Sequence, residues 1–334
     1  MDLKDALAAR FDRLKSGDDG WQALAGAGVL GLPFAEAHGG LGLPPHEGFA
    51  VLEVLGSRAI ALPYLECVLL AGVLLDRAGG DAAAHWLPRI AAGEAKIALA
   101  TVDDREPARA AIDTAGWRLS GGKLLAIGAA EAEAAIVTAT TDDGPAAFLI
   151  ARDALAMKAY PTIDGRRAAD LLLDDVTVPN EARLNVEPDD IAETLDLGAA
   201  AIVAEAAAIM TRLVADTRDY CVQREQFGKA ISDFQVVQHR LVDMHIEARR
   251  AAAAAALAAD ALDLDPAGRS KAISAAKVTI ADAGRFVGQN AVQLHGGMGM
   301  TAELPVSALF KRLTVIESEF GTRDEHLARY MALA

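Results

Sequence analysis

Two short segments in the C-terminal half of the chain carry residues suited to holding a phosphorylated nucleotide. Arg224-Glu225-Gln226-Phe227-Gly228 offers a guanidinium beside an aromatic ring; the guanidinium fork matches phosphate oxygens two at a time, and a ring can cover a base or sugar. Gln293-Leu294-His295-Gly296-Gly297 offers a side-chain amide and paired glycines, whose missing Cβ atoms let backbone approach a ligand closely. Residue chemistry alone leaves plainer readings open for both, a helix end with a solvated Arg and an ordinary loop. Other chemistries find less footing. No His/Cys/Asp cluster has metal-ligand spacing and no Gly-x-Ser-x-Gly nucleophile motif occurs, so a metal site or a hydrolase is not expected. Cys67 and Cys221 lie far apart without CxxC spacing and read as buried free thiols.

The elements that must position these residues follow from composition and periodicity. The chain has 334 residues, 52% of them hydrophobic but only 5% aromatic, the Ala- and Leu-rich make-up of closely packed helices. Residues 1–93 carry apolar positions at three-to-four spacing, broken at Gly39-Gly40-Leu41-Gly42, and predict an N-terminal helical domain. Residues 94–186 switch to short apolar runs between turn signals, which predicts a small antiparallel β domain; within it Trp117–Leu119, Ser120-Gly121-Gly122 and Lys123–Ile127 read as a hairpin. Residues 187–334 return to long helical patterns, roughly 190–223, 233–262 and 266–296 with a last stretch from Pro305, which predicts a C-terminal four-helix bundle. Pro266 fits a first helical turn. The fold class is therefore mainly α with a central small antiparallel β domain. A formal charge of -15 without a Lys/Arg cluster argues against nucleic acid. No signal pattern and no membrane-length apolar run are evident, so a cytoplasmic chain without a membrane span is expected.

That order of domains, with Arg224-Glu225-Gln226-Phe227-Gly228, Phe234-Gln235 and Ala291-Val292-Gln293-Leu294-His295-Gly296-Gly297-Met298-Gly299, resembles the acyl-CoA dehydrogenase family. Trp21–Leu24, Gly31-Leu32-Pro33 and His38–Gly42 resemble its N-terminal domain, and Leu313–Tyr330 is similar to small subunits of bacterial pimeloyl-CoA-type dehydrogenases. The resemblance implies an FAD-dependent α,β-desaturation of an acyl-CoA, of the kind used in fatty acid or sterol side-chain degradation, with electrons passed to an electron-transfer flavoprotein. It implies that Arg224, Gln226, Phe227, Phe234, Gln235, Gln293, Leu294, His295, Gly296 and Gly297 serve the ADP half of a flavin whose ring sits mainly in a neighbouring subunit. His295 then belongs to a cofactor loop, where packing or a hydrogen bond to FAD is expected rather than acid–base work.

Other parts of the family pattern are missing. The acidic-Pro-x-Ala-Gly-Ser-Asp loop that meets the flavin ring should follow Ala98-Leu99-Ala100-Thr101, where the chain has Val102-Asp103-Asp104-Arg105-Glu106-Pro107. Leu125 and Ile127 stand where a Trp and a Ser or Thr are expected, and Phe320 precedes Gly321-Thr322 where a catalytic Glu is common. Glu319 is the nearest candidate base and Asp263 a second, although neighbouring helical residues point about 100° apart. A substrate-contacting Arg is replaced by Ala199, while the Asp that accompanies it corresponds to Asp196. The retained elements would serve a neighbour's FAD and the lost ones this chain's own ring and substrate. One subunit of a heteromeric dehydrogenase, a dimer or tetramer with a second chain of the family, is thus expected. A self-sufficient homo-oligomer with a displaced base and a non-catalytic CoA-binding or scaffold homologue are the alternatives.

Overall fold

The computed structural model describes residues 3–14, 19–114, 116–301 and 303–333. Helices come first: α1 (Leu3–Phe11), α2 (Gly20–Ala25), α3 (Phe49–Ser57), a π-helical run over Leu65–Gly72 that continues into α4 (Val73–Ala78), and α5 (Gly80–Ala91). Asp19 starts α2 by accepting hydrogen bonds from the Trp21 and Gln22 amides, donors that a helix start otherwise leaves unpaired. Strands follow: β1 (Ile97–Ala100), β2 (Arg109–Asp113), β3 (Gly116–Ile127), β4 (Ala134–Thr141), β5 (Gly144–Ala151), β6 (Ala156–Pro161) and β7 (Arg167–Val178). The chain then runs through α6 (Pro188–Gln223), the two-residue strands β8 (Glu225–Gln226) and β9 (Lys229–Ala230), α7 (Gln235–Asp260), α8 (Pro266–His295), α9 (Val306–Ile316) and α10 (Arg323–Ala332).

Packing divides the chain differently from element type. One compact unit comprises residues 1–5, 49–61 and 198–334, so α3 belongs with the C-terminal helices; the other comprises residues 6–48 and 62–197. The second unit holds one seven-stranded sheet, in which β1, β4, β2, β3, β7 and β6 are successive neighbours and β5 pairs with β4. Its buried face is small and aliphatic, with Trp117 and Phe148 in edge contact at 5.4 Å.

Two expectations need correction. The sheet is not wholly antiparallel, since β1 pairs with β4 in parallel over Ile97–Ala100 and β2 meets β4 in parallel at Arg109. The expected hairpin within 117–127 does not exist either. All of Gly116–Ile127 is one strand, paired with β2 on one side and β7 on the other. The Ser120-Gly121-Gly122 sequence that suggests a turn is a bulge, marked by a register shift between Leu119 and Gly121 and a φ of 122° at Gly121. A β-carbon there would lie 3.0 Å from the Ala108 Cα, so the glycine admits a close backbone approach instead of reversing the chain. A tight hairpin does occur at Asp142-Asp143, between the paired Thr141 and Gly144.

The other unit takes α6 from residue 198 onward, then α7 and α8, of 26 and 30 residues, followed by two short helices. Pro266 occupies the first turn of α8, and Asp265 caps it by accepting from the Ala267 and Gly268 amides. The last helical stretch splits because Phe320 and Gly321 take positive φ and Thr322 opens α10 with a capping box to Glu325. By length and apolarity α6 could cross a membrane, yet 78% of its most apolar window is buried inside the protein, which makes it a core helix. Cys67 and Cys221 are buried and free; burial pushes the Cys67 thiol up to about 12, which removes the reactive thiolate.

Gly121→Ala is expected to destabilise the protein by about 1–3 kcal/mol, from a disfavoured φ plus the crowded Ala108 backbone. Urea unfolding followed by circular dichroism measures this, and an unchanged midpoint would contradict the bulge.

Candidate functional site

The first nucleotide segment begins where α6 runs out. The chain reverses through β8 and β9, with Glu225 paired to Ala230 and Gln226 to Lys229, leaving Phe227 and Gly228 as the turn. Both take positive φ, 55° and 79°, the pattern of a type I′ turn. Glycine accepts this backbone readily, whereas a phenylalanine in it is strained. The Phe227 ring is 92% exposed, touched at its edge by Phe234 with centroids 6.1 Å apart. Lys229 Nζ stands 4.3 Å over the Phe234 ring, a cation–π contact that steadies the corner. Arg224 is exposed, and among the described residues no carboxylate or carbonyl occupies its guanidinium. The Gln226 amide donates back to the Glu225 carbonyl at 2.7 Å, and Gln235 is exposed on the first turn of α7.

The second segment closes α8. His295 is buried, its Nδ1 2.8 Å from the Ala291 carbonyl; the proton is on Nδ1, because a carbonyl can only accept. Its ring stacks on Tyr220 at 4.3 Å with 28° between planes, and the Tyr220 hydroxyl donates to the His295 carbonyl at 3.3 Å. Tyr220 lies one helical turn before Arg224, so this pair brings the two segments to one end of the helical unit, together with Phe234 and Gln235. Packing is thus the role the structure gives the His295 ring. Gln293, Gly296 and Gly297 are exposed and Leu294 is half-buried. A β-carbon added at Gly296 or Gly297 would meet nothing within 4 Å, so bare backbone faces open space. An unclaimed guanidinium, an exposed ring and a bare glycine backbone at one corner fit the diphosphate and adenosine parts of a dinucleotide.

The candidate bases are placed otherwise. Arg312 is buried on α9 and forks onto Glu205 of α6, with Nε and Nη2 each 2.6 Å from a carboxylate oxygen. Its third nitrogen holds the Glu319 carboxylate at 2.7 Å. Lys277 of α8, 1% exposed, donates to the carbonyls of Ile316 at 2.8 Å and Glu319 at 2.6 Å, closing the end of α9 where helix carbonyls lack partners. Burial pulls the Lys277 ammonium down to about 8, opposed by Glu319 and reinforced by Arg312. His326 Nε2 lies 2.9 Å from the Phe320 carbonyl. Glu317 pairs with Arg285. Asp263 is exposed in the turn between α7 and α8, whereas Asp196 is buried on α6.

In the sheet unit the segment after β1 is tied to its own sheet. Lys123 is 1% exposed, and its Nζ reaches Asp103 at 2.5 Å, the Thr138 hydroxyl at 3.1 Å and the Thr101 carbonyl at 3.4 Å. Asp103 also accepts from the Ala108 amide at 2.9 Å. Burial lowers the Lys123 pKa while Asp103 raises it.

Tyr220, Lys229, Lys277, Arg312 and Glu205 were not singled out by motif. Glu205 and Lys277 had a visible signal, each a lone charge in an apolar helical run, because such charges fold only with partners.

Models of the acyl-CoA dehydrogenase N-terminal and C-terminal domains match residues 4–94 and 189–332. Acyl-CoA dehydrogenase FadE27 of Mycobacterium tuberculosis is 31% identical over 97% of this chain and 89% of its own length. The ChsE4-ChsE5 complex from Mycobacterium tuberculosis contains a chain that superposes with a TM-score of 0.91 at 28% identity, covering 99% of this chain and 95% of that one. The Tcur3481-Tcur3483 steroid ACAD G363A variant superposes with a TM-score of 0.88 at 28% identity, covering 99% and 96%. The chain belongs to the acyl-CoA dehydrogenase family, oxidoreductases whose cofactor is FAD.

The depressed Lys277 pKa has a signed consequence. Between about pH 8 and the ordinary lysine value the unfolded chain holds the proton that the folded one has released, so stability rises with pH in that window. Relative to Lys277→Met, the wild type is expected to gain up to about 3 kcal/mol between pH 7.5 and 10.5. Unfolding midpoints of both proteins across that range measure it; parallel curves would refute it.

Proposed function

We propose that this chain is one subunit of a heteromeric acyl-CoA dehydrogenase and grips the ADP half of an FAD whose reactive ring is held by a second chain of the family. The observation that carries the reading is the Tyr220–His295 stack, which unites Arg224, Phe227, Phe234 and the Gly296-Gly297 backbone at one corner. In the reading, Arg224 binds the diphosphate and Phe227 covers the adenosine. Gly296 and Gly297 let the backbone approach the phosphates, and Gln293 supplies an amide. Gln226, Gln235 and Leu294 flank them, and His295 orients the loop through Tyr220.

The sheet unit supports the division of labour. Around Val102–Ala108 the anchoring bonds are internal, with Lys123, Asp103 and Thr138 satisfying one another. A flavin ring needs donors along its polar edge, and the side chains here are spent on the loop itself. Glu319 is committed to Arg312 and Asp263 is exposed, so the proton on the substrate's α carbon falls to the partner's base. Bound FAD supplies the hydride acceptor. The likeness to chains of the ChsE4-ChsE5 complex and of Tcur3481-Tcur3483, a steroid ACAD, favours a bulky acyl-CoA, with Asp196 on the substrate side and an electron-transfer flavoprotein taking the electrons.

Co-expression with a homologous dehydrogenase chain tests the reading. The pair is expected to purify with bound flavin, and Arg224→Ala to weaken FAD binding by roughly 10–100-fold, the worth of a charge-assisted phosphate contact, read from the flavin-to-protein absorbance ratio on dilution. If this chain alone retained stoichiometric FAD and bleached it with an acyl-CoA, the subunit role would be wrong.

A further inference from the structure

Phe320 stands immediately before Gly321-Thr322, where the family commonly carries its base, and its surroundings are unusually determined. Its backbone is left-handed, φ 56°, a conformation that a bulky residue keeps only when neighbours impose it. Neighbours do impose it. Lys277 holds the carbonyls of Ile316 and Glu319, Arg312 holds the Glu319 carboxylate, and His326 lies against the Phe320 carbonyl. Each of these three side chains is buried, so the segment is fixed from the interior.

With its backbone fixed, the Phe320 ring lands on α6 at Gly198. A β-carbon at Gly198 would sit 2.6 Å from Cε1, 2.8 Å from Cζ and 3.1 Å from Cδ1 of that ring, closer than carbon atoms pack. The seat therefore exists only because residue 198 has no side chain. Its neighbour Ala199 is small and buried at the position where the resemblance expects a substrate-contacting Arg. Two departures from the family pattern thus lie near each other: an aromatic ring where the acid is common, seated on Gly198, and an alanine for the Arg at the next position of α6.

We propose that Phe320, seated on Gly198, is a plug that excludes an acyl chain from this subunit's own helical unit, so that acyl-CoA binds only in the partner's site. This deepens the subunit reading and rests on it for what the position would otherwise hold, but the contact itself is independent of flavin and of a second chain. The plug is built from side-chain volume rather than from a missing acid alone. Exchanging Phe320 for a smaller residue opens space, whereas adding volume at Gly198 unseats the ring.

Two measurements on the isolated full chain test this. Gly198→Ala is expected to lower the melting temperature by roughly 2–6 °C, the effect of overpacking in a chain of this size, and by less than about 1 °C when Phe320→Ala is already present. Equal losses in both backgrounds would overturn the contact. Calorimetric titration with octanoyl-CoA is expected to show no saturation up to about 1 mM for the wild type and at least ~10-fold tighter binding for Phe320→Ala. Wild-type binding as tight as the variant's, or a folded variant that binds no tighter, would overturn the plug. Should Phe320→Ala fail to fold, Phe320→Leu carries the same comparison. Loss of the plug in these tests would leave the ADP-gripping role standing, and failure of FAD capture by the pair would leave the plug standing.

Discussion

Arg312 brings a positive charge into the interior of the helical unit, and the arrangement of α6, α8, α9 and the segment before α10 follows from neutralising it. Its fork closes on Glu205 and its remaining nitrogen on Glu319, while Lys277 adds a second buried cation on the adjacent carbonyls. Two cations and two carboxylates balance. Removing one member of such a group costs about 3–5 kcal/mol, because the survivors are left charged and dry. The network does not add much net stability over an apolar packing of equal volume, but it fixes which way the segment between α9 and α10 turns. Geometry at Phe320 is inherited from it.

The helical unit consequently has two differently built places. At the Tyr220–His295 corner, polar and aromatic groups face outward with few internal partners, and two glycines leave the backbone bare. Around Phe320 the polar groups are turned inward onto one another, and a ring fills the remaining space. The first keeps its polar groups available at the surface; the second spends them on one another. Desolvation explains the difference, since polar groups left unpartnered inside are costly, whereas unpartnered groups at the surface keep their water until a ligand replaces it.

Much of the fold was legible in the chain because it rests on local patterns. The three long helices begin and end close to where periodicity, Pro266 and the glycines put them. The glycines of β3 misled because a bulge and a turn use the same residue for the same reason, relief from a β-carbon; only the Ala108 backbone, just before the neighbouring strand β2, distinguishes them. The parallel pairing of β1 with β4 was equally out of reach, since a strand's sequence shows which faces it buries but not which partner it takes.

By itself the sequence determined the element types and the family, and it singled out the two segments proposed to hold the ADP end of FAD, because each depends on residue identity at short spacing. Tertiary structure alone decided that these segments share one corner, as that depends on Tyr220 reaching a histidine 75 residues away. It also decided that Glu319 is bound to Arg312, and that Phe320 lies on Gly198 across more than a hundred residues of chain. Contacts of that range are set by how helices pack, and packing is a property of the whole core rather than of any window in the sequence.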